Sequence, residues 1–204
     1  MTRNGVFLLL LGAFALFLVV NHGDGPSPPG NLLVIGDSLT AQSSGQIKRV
    51  LNADGWSVTV VAEPGSGVSG GGQRDVDWSK IIHERVQKLD PEVVYIELGT
   101  NGCGPHCTTM PREIDALMHE VADVPVVLWL NVRTNVPLPN VNPPKFNQEL
   151  ASAALRYPNI KTLDFDKWGA QTPLLVGDAV HFNINGQVVM ADQVRKAIRA
   201  HTDS

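Results

Sequence analysis

Along the chain, short apolar runs alternate with longer stretches in which apolar residues recur every three or four positions. Residues 32–35, 57–61, 93–98, 126–130 and 160–163 are runs bounded by Gly, Pro or polar residues, and they predict five buried strands. Helical spacing predicts helices over 46–53, 76–89, 112–121, 145–156 and 184–200. In the second of these, Trp78, Ile81, Ile82, Val86 and Leu89 share one face; in the last, Ile184, Val188, Ala191, Val194 and Ile198 do. No internal repeat is evident. Strands alternating with helices predict an α/β fold, a mainly parallel five-stranded sheet covered on both sides, with right-handed crossovers. Ligands of such sheets bind beyond the carboxyl ends of the strands. The most unusual polar residues fall there, in Gly36-Asp37-Ser38-Leu39 after the first strand and Gly99-Thr100-Asn101-Gly102 after the third.

The amino-terminal segment departs from this alternation. Fourteen of the sixteen residues 5–20 are apolar, the other two are Gly5 and Gly12, and Arg3 precedes the run. This is the pattern of an export signal whose positive end stays in the cytoplasm. A helix of that length spans ~24 Å, short of the ~30 Å hydrocarbon core, which suits a signal h-region better than a regular membrane span. No A-x-A cleavage site follows, so a cleaved signal peptide and an uncleaved membrane anchor both fit. The expected division is a leader over 1–25, a stiff linker over 26–30 containing Pro26, Pro28 and Pro29, and one domain over 31–204. That domain is expected outside the cytoplasm, secreted or tethered.

Composition narrows the class further. The 204 residues, 43% hydrophobic and 18% charged, suit one folded domain and exclude a disordered or collagen-like chain. Sixteen basic and twenty acidic residues give a net charge of −4. No Lys/Arg run is long enough to track a phosphate backbone, so nucleic acid is not an expected partner.

Ser38 follows a buried strand through Gly36, a position suited to a nucleophile exposed at a strand-to-helix turn; an N-cap role fits the same place. A serine hydroxyl needs a base within hydrogen-bond reach, itself oriented by a third group. Among six histidines only His181 has an Asp three residues before it, Asp178, in a loop-like segment ahead of the last helix. His83, His119 and His201, on predicted helices, read as surface residues. Acyl transfer also needs donors aimed at the developing oxyanion. The Ser38 N–H, a glycine of Pro64-Gly65-Ser66-Gly67 and the Asn101 amide could supply them, although Asn101 beside Gly102 also fits an unusual turn.

These residues resemble the SGNH (GDSL) hydrolases. Gly36-Asp37-Ser38-Leu39 matches the first block of that family, Gly67 best matches the glycine block with Gly65 as its substitute, Gly99-Thr100-Asn101 matches the third, and Asp178 to His181 the last. The resemblance implies a flavodoxin-like three-layer α/β/α sandwich. It implies catalysis by Ser38, His181 and Asp178, and an oxyanion hole of Ser38, Gly67 and Asn101. Gly102, where many members have Asp, makes the third block look more like the extracytoplasmic SGNH domains of membrane O-acyltransferases.

Other signals carry less. Gly65-Ser66-Gly67-Val68-Ser69-Gly70 is a literal G-x-G-x-x-G, but it follows the second strand rather than the first and Gly70 to Gly72 suit a loop more than a helix start, so no dinucleotide cofactor is expected. Cys103 and Cys107, the only cysteines, are expected to pair in an oxidising exterior. With His106 they give three potential ligands in five residues and no fourth, so no metal is expected. Residues 133–144, with Pro137, Pro139, Pro143 and Pro144, are expected to form a rim loop that shapes substrate choice, while Trp129 and Trp168 are expected to pack. The expected function is that of an exported serine esterase acting on small or carbohydrate-linked acyl esters. An O-acyltransferase using the same triad and a non-catalytic envelope-binding module are the alternatives. The expected partners are an ester substrate, such as an acylated glycan or lipid, and the membrane if the leader is retained.

Overall fold

A computed structural model describes residues 29–68, 72–102, 110–136, 138, 141–169 and 173–202. The leader, most of the linker, Cys103, His106 and Cys107, and part of the expected rim loop lie outside the described residues. Among the described residues no helix is long and apolar enough to cross a membrane.

All five expected strands are present: β1 (Asn31–Gly36), β2 (Ser57–Ala62), β3 (Val93–Glu97), β4 (Val126–Leu130) and β5 (Ile160–Leu163). They pair in parallel in the order β2-β1-β3-β4-β5. The central strands β1, β3 and β4 are buried on both faces, which is why they read as continuous apolar runs. The helices are α1 (Ser38–Ala53), α2 (Trp78–Leu89), α3 (Met110–Glu120), α4 (Pro143–Arg156), the single-turn α5 (Phe165–Trp168) and α6 (Ile184–Thr202).

Strand side chains alternate between two cores, as the two-residue period of a strand requires. Leu33, Ile35, Val94, Ile96, Val127 and Trp129 pack against α2, α3 and α4. Leu32, Val34, Val93, Tyr95 and Leu128 pack against Leu39, Ile47 and Leu51 of α1 and Met190, Ala191, Val194 and Ile198 of α6. Helices on both faces of one sheet make the three-layer sandwich. The chain order reverses direction across the sheet between β1 and β3, the place where such folds bind ligands.

Three local expectations are corrected. α1 begins at Ser38, eight residues before the apolar spacing starts at 46, because Asp37 caps it and not because its first turns are apolar. α4 begins at Pro143, whose fixed φ suits the first helical position, so Pro143 and Pro144 belong to the helix and not to the rim. On α6 the buried stripe runs through Gly186, Met190, Ala191, Val194 and Ile198, which leaves Ile184 and Val188 at its edge and exposed.

Candidate active site

The first turn of α1 is organised around one free donor. Asp37 Oδ1 accepts from the Leu39 N–H at 3.0 Å, Glu97 Oε2 accepts from the Thr40 N–H at 3.1 Å, and the Asp37 carbonyl accepts from the Ala41 N–H at 2.9 Å. A helix leaves its first N–H groups without intrahelical partners. Among the described residues, the Ser38 N–H is the first-turn donor left over. The cap is therefore Asp37, and both the hydroxyl and the amide of Ser38 remain available.

His181 reaches Ser38 from a loop fastened on several sides. Phe182 is buried against Phe165 and Trp168, its N–H donates to Gln42 Oε1 on α1, and the His181 carbonyl accepts from the Val176 N–H at 2.8 Å. Inside the loop Asp178 Oδ1 accepts from the N–H groups of Val180 and His181, both at 2.9 Å, while Ala179 sits at φ 60°, a left-handed conformation that only the surrounding bonds hold. Asp178 Oδ2 lies 2.7 Å from His181 Nδ1, and His181 Nε2 lies 2.9 Å from Ser38 Oγ. A carboxylate only accepts, so Nδ1 carries the ring proton and Nε2 accepts from the Ser38 hydroxyl. The hydrogen bond from His181, with those from the two loop amides, holds the Asp178 carboxyl down at about 2.

The glycine segment and Asn101 meet beside this relay. Asn101 Nδ2 donates to Asp37 Oδ2 at 2.8 Å and to the Ser66 carbonyl at 3.1 Å. A Cβ on Gly67 would collide with the Gly102 carbonyl, so the glycine block and the Gly99–Gly102 turn touch backbone to backbone at Gly67. Gly65, the expected substitute, instead takes φ 83° in the preceding turn, and its carbonyl accepts from the Gln73 N–H at 2.7 Å. Gly99, at φ 139°, has Phe146 and Val132 where a side chain would go, and this fixes the turn that presents Asn101.

One residue of the site was missed from sequence. Glu97 ends β3 inside the run 93–98, and it is 2% exposed beside Asp37 at 0%. Its Oε2 accepts from Thr40 Oγ1 at 3.1 Å and from the Asp37 N–H at 3.3 Å, besides the Thr40 N–H. The two acids are thus joined through the Asp37 N–H. Burial, then the neighbouring Asp37 charge, pushes the Glu97 carboxyl well above its ordinary range; burial raises Asp37 as well, against its bonds to Glu97, Leu39 and Asn101. A lone carboxylate in Val93-Val94-Tyr95-Ile96-Glu97-Leu98 was the available signal, since an acid is seldom fully buried without a partner.

The remaining candidates fall elsewhere. His83 pairs with Glu120 on the surface between α2 and α3. Trp129 is buried and donates to the Leu98 carbonyl, and Trp168 packs on Phe165, so both are packing residues. A depression of about 1140 Å³ is lined by residues such as His83, Asp90 and Glu120 at the amino-terminal edge of the sheet, away from the relay. Among the described residues no cluster of His, Cys, Asp and Glu could hold a metal ion.

A three-layer α/β/α sandwich with a serine–histidine–aspartate relay at the carboxyl edge of its sheet is the architecture of a serine hydrolase. The chain belongs to the GDSL-like lipase/acylhydrolase family, which matches residues 34–189, and it is an ester hydrolase acting on carboxylic esters. Solved structures share the fold at low identity. The psychrotrophic esterase EstA from Pseudoalteromonas sp. superposes with a TM-score of 0.66 at 14% identity, over 86% of this chain and 100% of that one. The C-terminal catalytic domain of the Streptococcus pneumoniae peptidoglycan O-acetyltransferase A gives 0.65 at 17%, over 85% and 95%. A carbohydrate acetylesterase family member from Sinorhizobium meliloti gives 0.64 at 15%, over 86% and 100%. Comparison with curated proteins finds no sequence match. As an ester hydrolase, the chain is not a non-catalytic binding module.

Proposed function

We propose that this chain is an exported serine esterase that removes small acyl groups, carbohydrate-linked acetyl foremost, with Ser38, His181 and Asp178 as its catalytic residues. The observation that carries the mechanism is the unbroken relay of 2.7 and 2.9 Å from Asp178 through His181 to Ser38. Ser38 Oγ attacks the ester carbonyl carbon while His181 Nε2 takes its proton. The oxyanion is met by the N–H groups of Ser38 and Gly67 and by Asn101 Nδ2. Both Asn101 N–H bonds are made at rest; the longer one, to the neutral Ser66 carbonyl, is the one an anionic oxygen displaces. The intermediate collapses by breaking the C–O bond to the alcohol, which leaves with the proton from His181. Water then attacks the acyl-serine with His181 as base, releasing the carboxylic acid and restoring Ser38.

The small acyl group is supported by a narrow cleft between the Thr100 turn and the His181 loop, closed by Val132, Val136, Leu138, Phe165 and Val180. Its free volume of about 10 Å³ admits about one water-sized or methyl-sized group. Asn147 fastens its wall by bonding both the N–H and the carbonyl of Val132, at 2.8 and 2.7 Å. The likeness to the O-acetyltransferase domain and the carbohydrate acetylesterase family member supports a glycan as the carrier. The first of these also favours a second reading, transfer of the acyl group to a sugar hydroxyl. Export rests on the apolar run at 5–20 behind Arg3; residues 1–30 fused to alkaline phosphatase should give phosphatase activity outside the cytoplasm, and an inactive, intracellular fusion would remove that part.

The test is fluorophosphonate labelling of the purified chain with peptide mapping by mass spectrometry. The label should sit on Ser38 and vanish in His181→Ala; a folded chain that stays unlabelled would overturn the mechanism. Acetate release from O-acetylated glycans, with and without acceptor sugars, then separates hydrolysis from transfer. Turnover of long-chain lipid esters with none of acetyl esters would reject the substrate reading.

A further inference from the structure

The Asn101 amide is held by the Asp37 carboxylate and by the Ser66 carbonyl, and the carboxylate sits on a backbone N–H that donates to Glu97. Asp37 Oδ2 holds Asn101 Nδ2 at 2.8 Å and Asp37 Oδ1 holds the Leu39 N–H at 3.0 Å, so one carboxylate ties the third-strand turn to the helix that carries Ser38. Glu97 stands behind it, with Oε2 saturated by the Thr40 N–H, Thr40 Oγ1 and the Asp37 N–H. Both acids are buried, at 0% and 2% exposure, and are joined through the Asp37 N–H, so one proton is shared between them rather than both being charged.

We propose that Glu97 is a positioning residue: as the neutral acid it donates a hydrogen bond to the Asp37 carboxylate, and it thereby aims the Asn101 amide at the oxyanion formed on Ser38. The inference rests on the proposed oxyanion role of Asn101. The physical need is plain, because two neighbouring buried carboxylates cannot both ionise, and a single shared proton lets Asp37 remain an acceptor on both oxygens. The order of the bonds decides which acid keeps the proton. Asp37 faces two N–H donors that need acceptors, Asn101 and Leu39, whereas Glu97 meets its three donors through one oxygen and has its second free to carry hydrogen.

The arrangement predicts an asymmetry between the two amide replacements. Glu97→Gln keeps a donor toward Asp37 and an acceptor toward Thr40, and should retain turnover within about threefold of wild type. Asp37→Asn turns an N–H₂ toward either Asn101 or Leu39, and should lose turnover at least tenfold. Glu97→Leu removes the donor and should lower kcat about tenfold with little change in KM, because the effect lies in the transition state. A double-mutant cycle separates this from general damage: Glu97→Leu added to Asn101→Ala should cost nothing beyond Asn101→Ala alone.

All variants are compared by thermal melting, and only folded proteins enter the cycle; should Glu97→Leu not fold, Glu97→Met takes its place. Glu97→Gln as damaging as the apolar variant, or additive losses in the cycle, overturns the role of Glu97 while leaving Asn101 as donor. Wild-type turnover in Asn101→Ala instead removes the oxyanion reading itself, and the proposal with it.

Discussion

Ser38 and His181 are separated by 143 positions in the chain, yet Ser38 Oγ and His181 Nε2 stand 2.9 Å apart because α1 and α6, which begin at or just after them, pack side by side on one face of the sheet. Leu39, Ile47 and Leu51 meet Met190, Ala191, Val194 and Ile198 in a shared core. The position of the proposed base relative to the nucleophile is thus set by helix packing, and the loop between residues 175 and 182 makes the final adjustment.

Removing either end of that contact should abolish turnover. Ser38→Ala and His181→Ala are expected to retain only background ester cleavage, and Asn101→Ala to lose about 10²- to 10³-fold in kcat, the usual effect of one oxyanion donor. Steady-state hydrolysis of an acetyl ester measures all three, and near-wild-type kcat in any one refutes its role.

Asp178 should act on turnover and on acid stability together. Its folded-state carboxyl lies at about 2 against an ordinary 3.8, so the unfolded chain takes up its proton first as the pH falls. The stabilisation is complete above about pH 4 and disappears as the pH drops toward 2. Asp178→Asn should melt below wild type at pH 6, with the gap closing between pH 4 and pH 2, and should turn over poorly at neutral pH. A gap that does not change with pH would show that the charge of Asp178 contributes nothing to the fold.

Glu97 should show the opposite sign. Its carboxyl is raised well above the ordinary 4.5, so above that pH the unfolded chain releases a proton that the folded chain keeps, and stability falls as the pH rises. Glu97→Gln has no such proton. Its melting temperature should gain on wild type from pH 4.5 to pH 8, with Asp37 and Tyr95 as the titrating neighbours common to both proteins. Parallel curves would mean that Glu97 is ionised in the fold.

The two glycines of the second block should separate by substitution. Gly67→Ala drives a methyl into the Gly102 carbonyl, which must move the backbone on both sides of the proposed oxyanion hole, so kcat should fall by at least tenfold. Gly65→Ala meets only the Gln73 side chain at 3.3 Å but is strained by its φ of 83°, so it should cost about 1 kcal/mol of stability and little turnover. Melting curves and kcat for the pair decide; the reverse pattern would place the donor at Gly65.

Val136 closes the cleft next to the Thr100 turn and is 8% exposed. Val136→Ala should admit longer acyl groups, raising the butyryl-to-acetyl ratio of kcat/KM about tenfold, the scale of one or two methylenes in an apolar pocket. An unchanged ratio across a chain-length series would place the acyl group elsewhere.

The strands were legible because a parallel strand buried on both faces has no polar side to interrupt it, and Leu32 to Ile35 or Val126 to Leu130 can hardly be read otherwise. The relay was legible because Asp178 and His181 lie three residues apart and because Ser38 follows a strand. The first half of α1 was not, since Ser43, Ser44 and Gly45 carry no apolar spacing and the helix is started by a cap and by Glu97, a residue 57 positions from the Thr40 amide it accepts. Glu97 itself was read as part of an apolar run. A long-range acceptor leaves no periodic trace in sequence; it shows only as a charge in the wrong company.

The strand order gives the enzyme a built-in report on its own completeness. β1 lies inside the sheet, second from one edge, and leads into the proposed nucleophile Ser38, while the proposed base His181 arrives with the segment before α6, the last helix of the described residues. A chain clipped between β5 and residue 178 would keep the sequence of all five strands and the proposed oxyanion donors Ser38, Gly67 and Asn101, but would lose Asp178 and His181 together with α6, whose Met190, Ala191, Val194 and Ile198 cover one face of the sheet. On the proposed mechanism, ester cleavage therefore requires residues 178–202 to have docked, and a protease that trims this end removes the proposed base and uncovers that face of the sheet.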